Sequence, residues 1–160
     1  MPLFVGMDPS YNGFAIVIIN HNAEIVDQIL LNSKTKDEAE DRIIQLEKGF
    51  SFVADLIGRE TVYIEGPSYA SNGAFVLQMG ALHYHLRIFF RLNNVKFKVI
   101  TPNGLKKFVT GKGVAKKELM LLKTYKKWGV EFEDNNLADA YGLARMAMEE
   151  FTDERAKIPD

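Results

Sequence analysis

The chain has 160 residues, room for one domain of ordinary size and too few for two. Nearly half of them are apolar and none is cysteine, which allows a sizeable core and excludes a disulfide scaffold, thiolate metal sites and cysteine nucleophiles. The formal net charge of −1 hides an asymmetry, because Arg87 to Lys127 carries twelve Lys or Arg against one acid, Glu118, while the rest carries eight against twenty.

Met1 to Val5 leads straight into a strand with no secretory apolar region, and no apolar run reaches the roughly 18 residues that span a bilayer. A soluble, cytoplasmic protein without a membrane partner is therefore expected. Phe4–Asp8, Gly13–Ile19 and Glu24–Leu30 are β-rich runs separated by good turn material, Pro-Ser-Tyr-Asn-Gly and Asn20-His21-Asn22, and read as an antiparallel meander. The period then changes: Ile43, Leu46, Phe50, Val53 and Ile57 recur at three and four, predicting an amphipathic helix over 36–58. Thr61–Glu65 is a strand, apolar except for its last residue, and a helix rich in aromatic and small residues is predicted over 73–92. Val95–Ile100 is a strand, and Thr101-Pro102 reads as the N-cap and first position of a short helix. A basic loop, Thr110 to Gly113, precedes helices predicted over 114–128 and 136–151, with the last residues frayed. The expected fold is one α/β domain over 1–160, a mixed sheet of three antiparallel and then two parallel strands with helices on both faces.

Two predicted strands end on a carboxylate, Asp8 and Glu65. If they lie side by side and parallel, both charges emerge at the carboxyl edge of the sheet, where open α/β sheets bind ligands. Asp139, in the first turn of the predicted last helix, is a third candidate, followed by the small residues Ala140, Gly142 and Ala144 that let a helix approach a sheet. Clustered carboxylates repel one another, and a hard divalent cation resolves the conflict while leaving positions for phosphate oxygens. Two such ions about 3.5–4 Å apart suit in-line phosphoryl displacement. Each residue also has an ordinary reading: Asp8 before Pro9 as a turn former, Glu65 as a solvated strand end, Asp139 as a complement to the helix dipole. The basic block points to a polyanion, because the charge persists through predicted strand, loop and helix, with a solvated helix face as the alternative. His21, His83 and His85 lack metal-ligand spacing to one another, and no Ser-His-Asp arrangement stands out.

Four stretches in one order, FVGMDPSYNGFAIV, VYIEGPSYASNGAFVLQMGAL, ITPNGLKKFVTGKGVAKKELM and NNLADAYGLARMA, span nearly the whole chain. In these stretches the chain resembles RuvC-type Holliday junction resolvases of the ribonuclease H-like superfamily, most of all the phage-encoded ones. The resemblance implies a homodimer that binds four-way DNA junctions and nicks two strands of like polarity with Mg²⁺ or Mn²⁺, two ions per site. It implies metal ligands Asp8, Glu65 and Asp139, and lysines near the scissile phosphate at Lys106 and Lys117. Lys107, Lys112 and Lys116 join these as expected backbone contacts, and Tyr69 or Phe75 as the aromatic that stacks at the crossover, with loop packing the alternative for Tyr69. The helix over 73–92 would form the dimer; Phe75, Leu77, Met79, Leu82 and Leu86 fit that role or plain core packing equally. Family members carry Asp or His three residues before the last ligand, where this chain has Asn136. Its amide oxygen can coordinate a hard cation without adding charge. Asp134 could substitute from the preceding loop, and Asn135 or Asn136 could instead cap the helix. Three other readings are open: a fork or flap endonuclease, a junction-binding protein with a weakened site, and an actin-like ATPase, which begins with a similar strand–Asp–turn–strand unit. The chain is too short for the two domains an ATPase of that kind needs, so no nucleotide cofactor is expected.

Overall fold

The structure, a computed structural model, describes residues 1–68 and 73–159. Three strands come first, β1 (Leu3–Asp8), β2 (Asn12–Asn20) and β3 (Ile25–Asn32), followed by α1 (Ala39–Leu56), β4 (Val62–Glu65), α2 (Ala74–Leu92) and β5 (Phe97–Ile100). Three helices close the chain: α3 (Pro102–Thr110), α4 (Lys117–Trp128) and α5 (Asn135–Ala156). The sheet order is β3-β2-β1-β4-β5, antiparallel across β3, β2 and β1 and parallel across β1, β4 and β5. This is the mixed sheet expected from the sequence. Among the described residues no helix is long and apolar enough to cross a membrane.

Alternation along the strands sorts the side chains onto two faces. Val5, Met7, Ile16, Ile18, Val62 and Ile64 pack against α1 and α2, whereas Phe4, Ala15, Val17, Ile19 and Tyr63 pack against α3, α4 and α5. The central strands β1 and β2 are buried on both faces, which explains their unbroken apolar runs.

Several helix boundaries differ from the sequence expectation; α1 runs Ala39–Leu56 rather than 36–58. Helix α4 starts at Lys117 rather than at 114: Val114 is 86% exposed, and only the small Ala115 meets the core in the segment before it. Helix α5 continues to Ala156, where Phe151 packs edge-on against Phe4 at 5.3 Å and extends the buried face past the predicted end.

Helix α5 lies unusually close to β1. A Cβ on Gly6 would fall 1.9 Å from the Ala140 carbonyl and 2.7 Å from the Ala144 nitrogen, so only glycine admits this approach. Ala140 and Ala144 serve the contact as expected, but Gly142 does not: it faces Val109 and Leu105 of α3, at 3.1 and 3.2 Å from an added Cβ. The distal half of α5 is tied down by the Tyr63 hydroxyl, which donates to the Glu150 carboxylate, and by Lys98 Nζ, 3.0 Å from the same group. Gly6→Ala should therefore cost at least about 2 kcal/mol, a fall in Tm of roughly 4–8 °C for a chain of this size. Gly142→Ala meets only side-chain ends and should cost less. Paired thermal melts check the order, and equal losses would contradict the packing described.

Candidate metal centre and catalytic cavity

The parallel register pairs Gly6 with Tyr63 and Met7 with Ile64, which brings the next residues of the two strands, Asp8 and Glu65, to the same end of the sheet. Both point to the α5 face, since each lies two residues beyond a side chain or glycine on that face. Asp139, in the second turn of α5 rather than the first, reaches the same point from beside the Gly6–Ala140 contact. Each carboxylate offers an oxygen, and these atoms lie within 4.8 Å of one another.

The electrostatics of this cluster are adverse in the absence of a cation. Burial pushes Asp8 well above the ordinary carboxylate range, and the charges of Glu65 and Asp139 push it further. Burial raises Glu65 as well, with hydrogen bonding to Asp8 and the Lys106 charge acting against it. Asp139 is raised to about 7, by burial first and by Glu65 second, while Lys106 and Lys117 oppose the shift. A simple complement to the helix dipole would be shifted the other way. Glu65 Oε2 is buried and has no hydrogen-bond partner. Three converging carboxylates and an orphaned carboxylate oxygen form an oxygen donor set that fits a hard divalent cation.

The cluster opens into a cavity of about 310 Å³ whose wall includes Lys106 from α3, Lys117 from the first turn of α4, and Asn135 and Asn136 from α5. The three acids and two lysines expected from the sequence are thus brought together from five elements. Asn136 is held by its amide: Nδ2 donates to the Gly13 carbonyl at 2.9 Å. Gly13 has φ +74°, and a Cβ there would sit 2.6 Å from that nitrogen, so the β1–β2 turn and the start of α5 fit only with glycine at this position. Asp134 caps α5, its Oδ1 accepting from Leu137 N at 2.9 Å. Neither asparagine is the cap. Asp134 stands outside the converging trio, though its charge acts on Asp8 and Asp139.

The remaining expected contacts lie outside this cavity. Lys112 and Lys116 line a shallow groove with Val114, Leu119 and Leu122, and Ala115 is common to groove and cavity. Lys107 is exposed on α3. Phe75 is exposed at the start of α2 and lines a second cavity that shares Pro67, Ser68, Met79 and His83 with the first. Tyr69 lies outside the described residues. On α2, Leu82 and Leu86 are core, whereas Leu77, Tyr84, Ile88 and Leu92 are exposed by 78%, 62%, 56% and 77%. With Ala81 they form a stripe at three- and four-residue spacing along the outer face. Of this stripe, sequence reasoning named only Leu77 and missed the rest, because the buried stripe Leu82, Leu86, Phe90 has the same period. It also missed His83, whose place on the apolar stripe reads as core.

Comparison with known proteins agrees with this geometry. The profile of the family described as crossover junction endodeoxyribonuclease RuvC matches residues 4–146. A crossover junction endodeoxyribonuclease RuvC from Sulfurovum sp. (strain NBC37-1) is 27% identical over 145 residues, covering 88% of this chain and 91% of that one. Its counterpart from Chlamydia abortus is also 27% identical, over 152 residues, covering 89% and 91%. Among solved structures, Thermus thermophilus RuvC in complex with Holliday junction substrate superposes with a TM-score of 0.77 at 16% identity, covering 98% of this chain and 97% of that one. The yeast mitochondrial Holliday junction resolvase Ydc2 gives a TM-score of 0.56 at 14% identity, covering 96% and 80%. Matched over almost its whole length, the chain belongs to the RuvC family of crossover junction endodeoxyribonucleases.

Proposed function

We propose that this chain resolves four-way DNA junctions by paired nicks, through metal-assisted phosphodiester hydrolysis at Asp8, Glu65 and Asp139. The observation that carries this reading is the convergence of three partly buried carboxylates, one with an orphaned oxygen, in an open cavity that also holds two lysines. Asp8 at the end of β1, Glu65 at the end of the neighbouring β4 and Asp139 on α5 would together hold the cation, Mg²⁺ or Mn²⁺, two ions per site, with Asp8 as the shared ligand. Bound by these carboxylates, such a cation would supply Lewis-acid chemistry at the scissile phosphate and lower the pKa of the attacking water. Lys106 and Lys117 bind the phosphate and oppose the charge that builds on its oxygens. The amide of Asn136, anchored to Gly13, keeps its oxygen available as a neutral ligand and holds α5 in register with the turn after Asp8. Lys112, Lys116 and Lys107 extend the phosphate-binding surface away from the cavity.

Paired, symmetric cuts need two sites related by a two-fold axis, and an isologous dimer supplies them. The exposed stripe Leu77, Ala81, Tyr84, Ile88 and Leu92 supports α2 as the self-complementary face. Tyr84→Arg together with Ile88→Glu should convert a dimer to a monomer in light scattering, with unfolding little changed because both side chains are exposed. A dimer that survives both changes would remove α2 from the interface.

Asp8→Asn should leave junction binding intact and slow nicking at least about 100-fold, in keeping with the several kcal/mol that metal-ion catalysis supplies. Assays on junction, fork, flap and duplex side by side, with metal titration, test the substrate class. Unchanged junction cutting by Asp8→Asn would sink the site; faster cutting of forks or flaps would shift the substrate. Binding should weaken steeply with salt, as it does when lysines neutralise phosphates.

The raised carboxylates set the pH dependence of the metal-free protein. Their folded pKa values exceed the unfolded ones, so the folded state holds more protons, and stability is lost as pH rises through about 7, the value for Asp139. Metal-free protein should melt higher at pH 5.5 than at pH 8, and Asp8→Asn should raise Tm at pH 8. A flat profile would mean that folding does not raise these carboxylates.

A further inference from the structure

Five buried side-chain polar atoms among the described residues have no hydrogen-bond partner: Glu65 Oε2, His83 Nδ1, Arg87 Nε, Asn135 Oδ1 and Arg145 Nε. Three of them belong to residues that line the catalytic cavity: Glu65, His83 and Asn135. Such atoms are rare, since each costs about 1–3 kcal/mol, and three around one cavity mark a place whose partners arrive with a ligand. A cation accounts for Glu65. It does not directly account for His83, which is not among the residues whose ligand atoms converge.

His83 is 2% exposed and sits on the buried stripe of α2 between Leu82 and Leu86, where a leucine would fill the space without leaving a polar atom unpaired. Burial first, and the Arg87 charge second, push its pKa down to about 4, so the ring is neutral across the physiological range. A neutral imidazole carries one donor and one acceptor nitrogen. That state suits the neighbourhood of a cation: an imidazolium would compete for the carboxylates, whereas a neutral ring offers a lone pair. The other histidines are elsewhere, His21 in the β2–β3 turn and His85 paired with Glu47. Asn135 Oδ1 is likewise an acceptor. Hard divalent cations keep part of their water when bound by a few carboxylates, and the protons of that water need acceptors.

We propose that His83 of α2 and Asn135 of α5 are positioning residues, an outer layer of hydrogen-bond acceptors for the water of a hydrated divalent cation held by Asp8, Glu65 and Asp139. This rests on the reading of that trio as a cation site. The layer would fix how much water the cation retains and where that water sits, independently of DNA.

The test is Mn²⁺ binding to the full chain without DNA, followed by electron paramagnetic resonance, with water-proton relaxation reporting the retained water. His83→Phe keeps a ring in the core and removes both nitrogens; His83→Asn returns an oxygen or nitrogen near the Nδ1 position. His83→Phe and Asn135→Ala should each weaken Mn²⁺ binding about 10-fold, the low end for an outer-shell partner, and change the relaxation of the bound ion. His83→Asn should recover most of both. Wild-type affinity and relaxation in His83→Phe would overturn the proposal. So would equal losses in the Phe and Asn variants in step with falling Tm, which would reduce His83 to packing. Asp8→Asn separates the two levels: if it binds Mn²⁺ as well as wild type, the cation reading itself falls; if it abolishes binding that His83→Phe leaves intact, only the outer layer falls.

Discussion

The contact between Gly6 and the backbone of α5 governs the rest of the architecture. With no Cβ on β1, the helix drops onto the central strand until Ala140 and Ala144 meet it, and Asp139 is carried down beside Asp8. A side chain at Gly6 would lift α5 outward. The carboxylate cluster would then lose its third member while the sheet survived. The chain secures the same helix at both ends, through the Asp134 cap and the Asn136–Gly13 bond at one and Glu150 with Tyr63 and Lys98 at the other. A close approach needs this bracing, because van der Waals contacts fall away within half an ångström or so of separation.

That bracing works against the charges it brings together. Burial raises all three acids, neighbouring carboxylates raise Asp8 and Asp139 further, and Asp134 adds to the negative field on those two. Lys106 and Lys117 offset only part of it. The core on either face of the sheet holds the acids where they would not settle on their own, and the site stores that cost in a form a cation can relieve. The turn after β1 shows the same design at smaller scale: Gly13 takes a left-handed conformation so that its carbonyl meets Asn136 across the sequence.

Much of this is legible in the sequence. Period-two runs, the switch to period three and four at Ile43, and turn residues between runs identify the elements. Strands that end abruptly on Asp8 and Glu65 announce a polar site at one sheet edge. The signals that failed share a cause, because residues with two compatible roles look alike in one dimension. Gly142 reads as a sheet contact and instead accommodates α3. Asn135 and Asn136 read as caps, while the capping oxygen comes from Asp134. On α2, buried and exposed apolar stripes have the same spacing, and His83 is hidden within the first.

The sequence by itself determined the order and type of the elements, the carboxylates at strand ends, the basic block and the family, since periodicity, turn chemistry and motif order are local properties of the chain. Tertiary structure alone decided which faces meet. Strand register and one glycine place Asp139 with Asp8 and Glu65, a long-range hydrogen bond to Gly13 assigns Asn136 its task, and burial sets the protonation of Asp139 and His83. Those outcomes depend on distances between residues far apart in the chain, and a pattern of neighbours along the chain carries no measure of them.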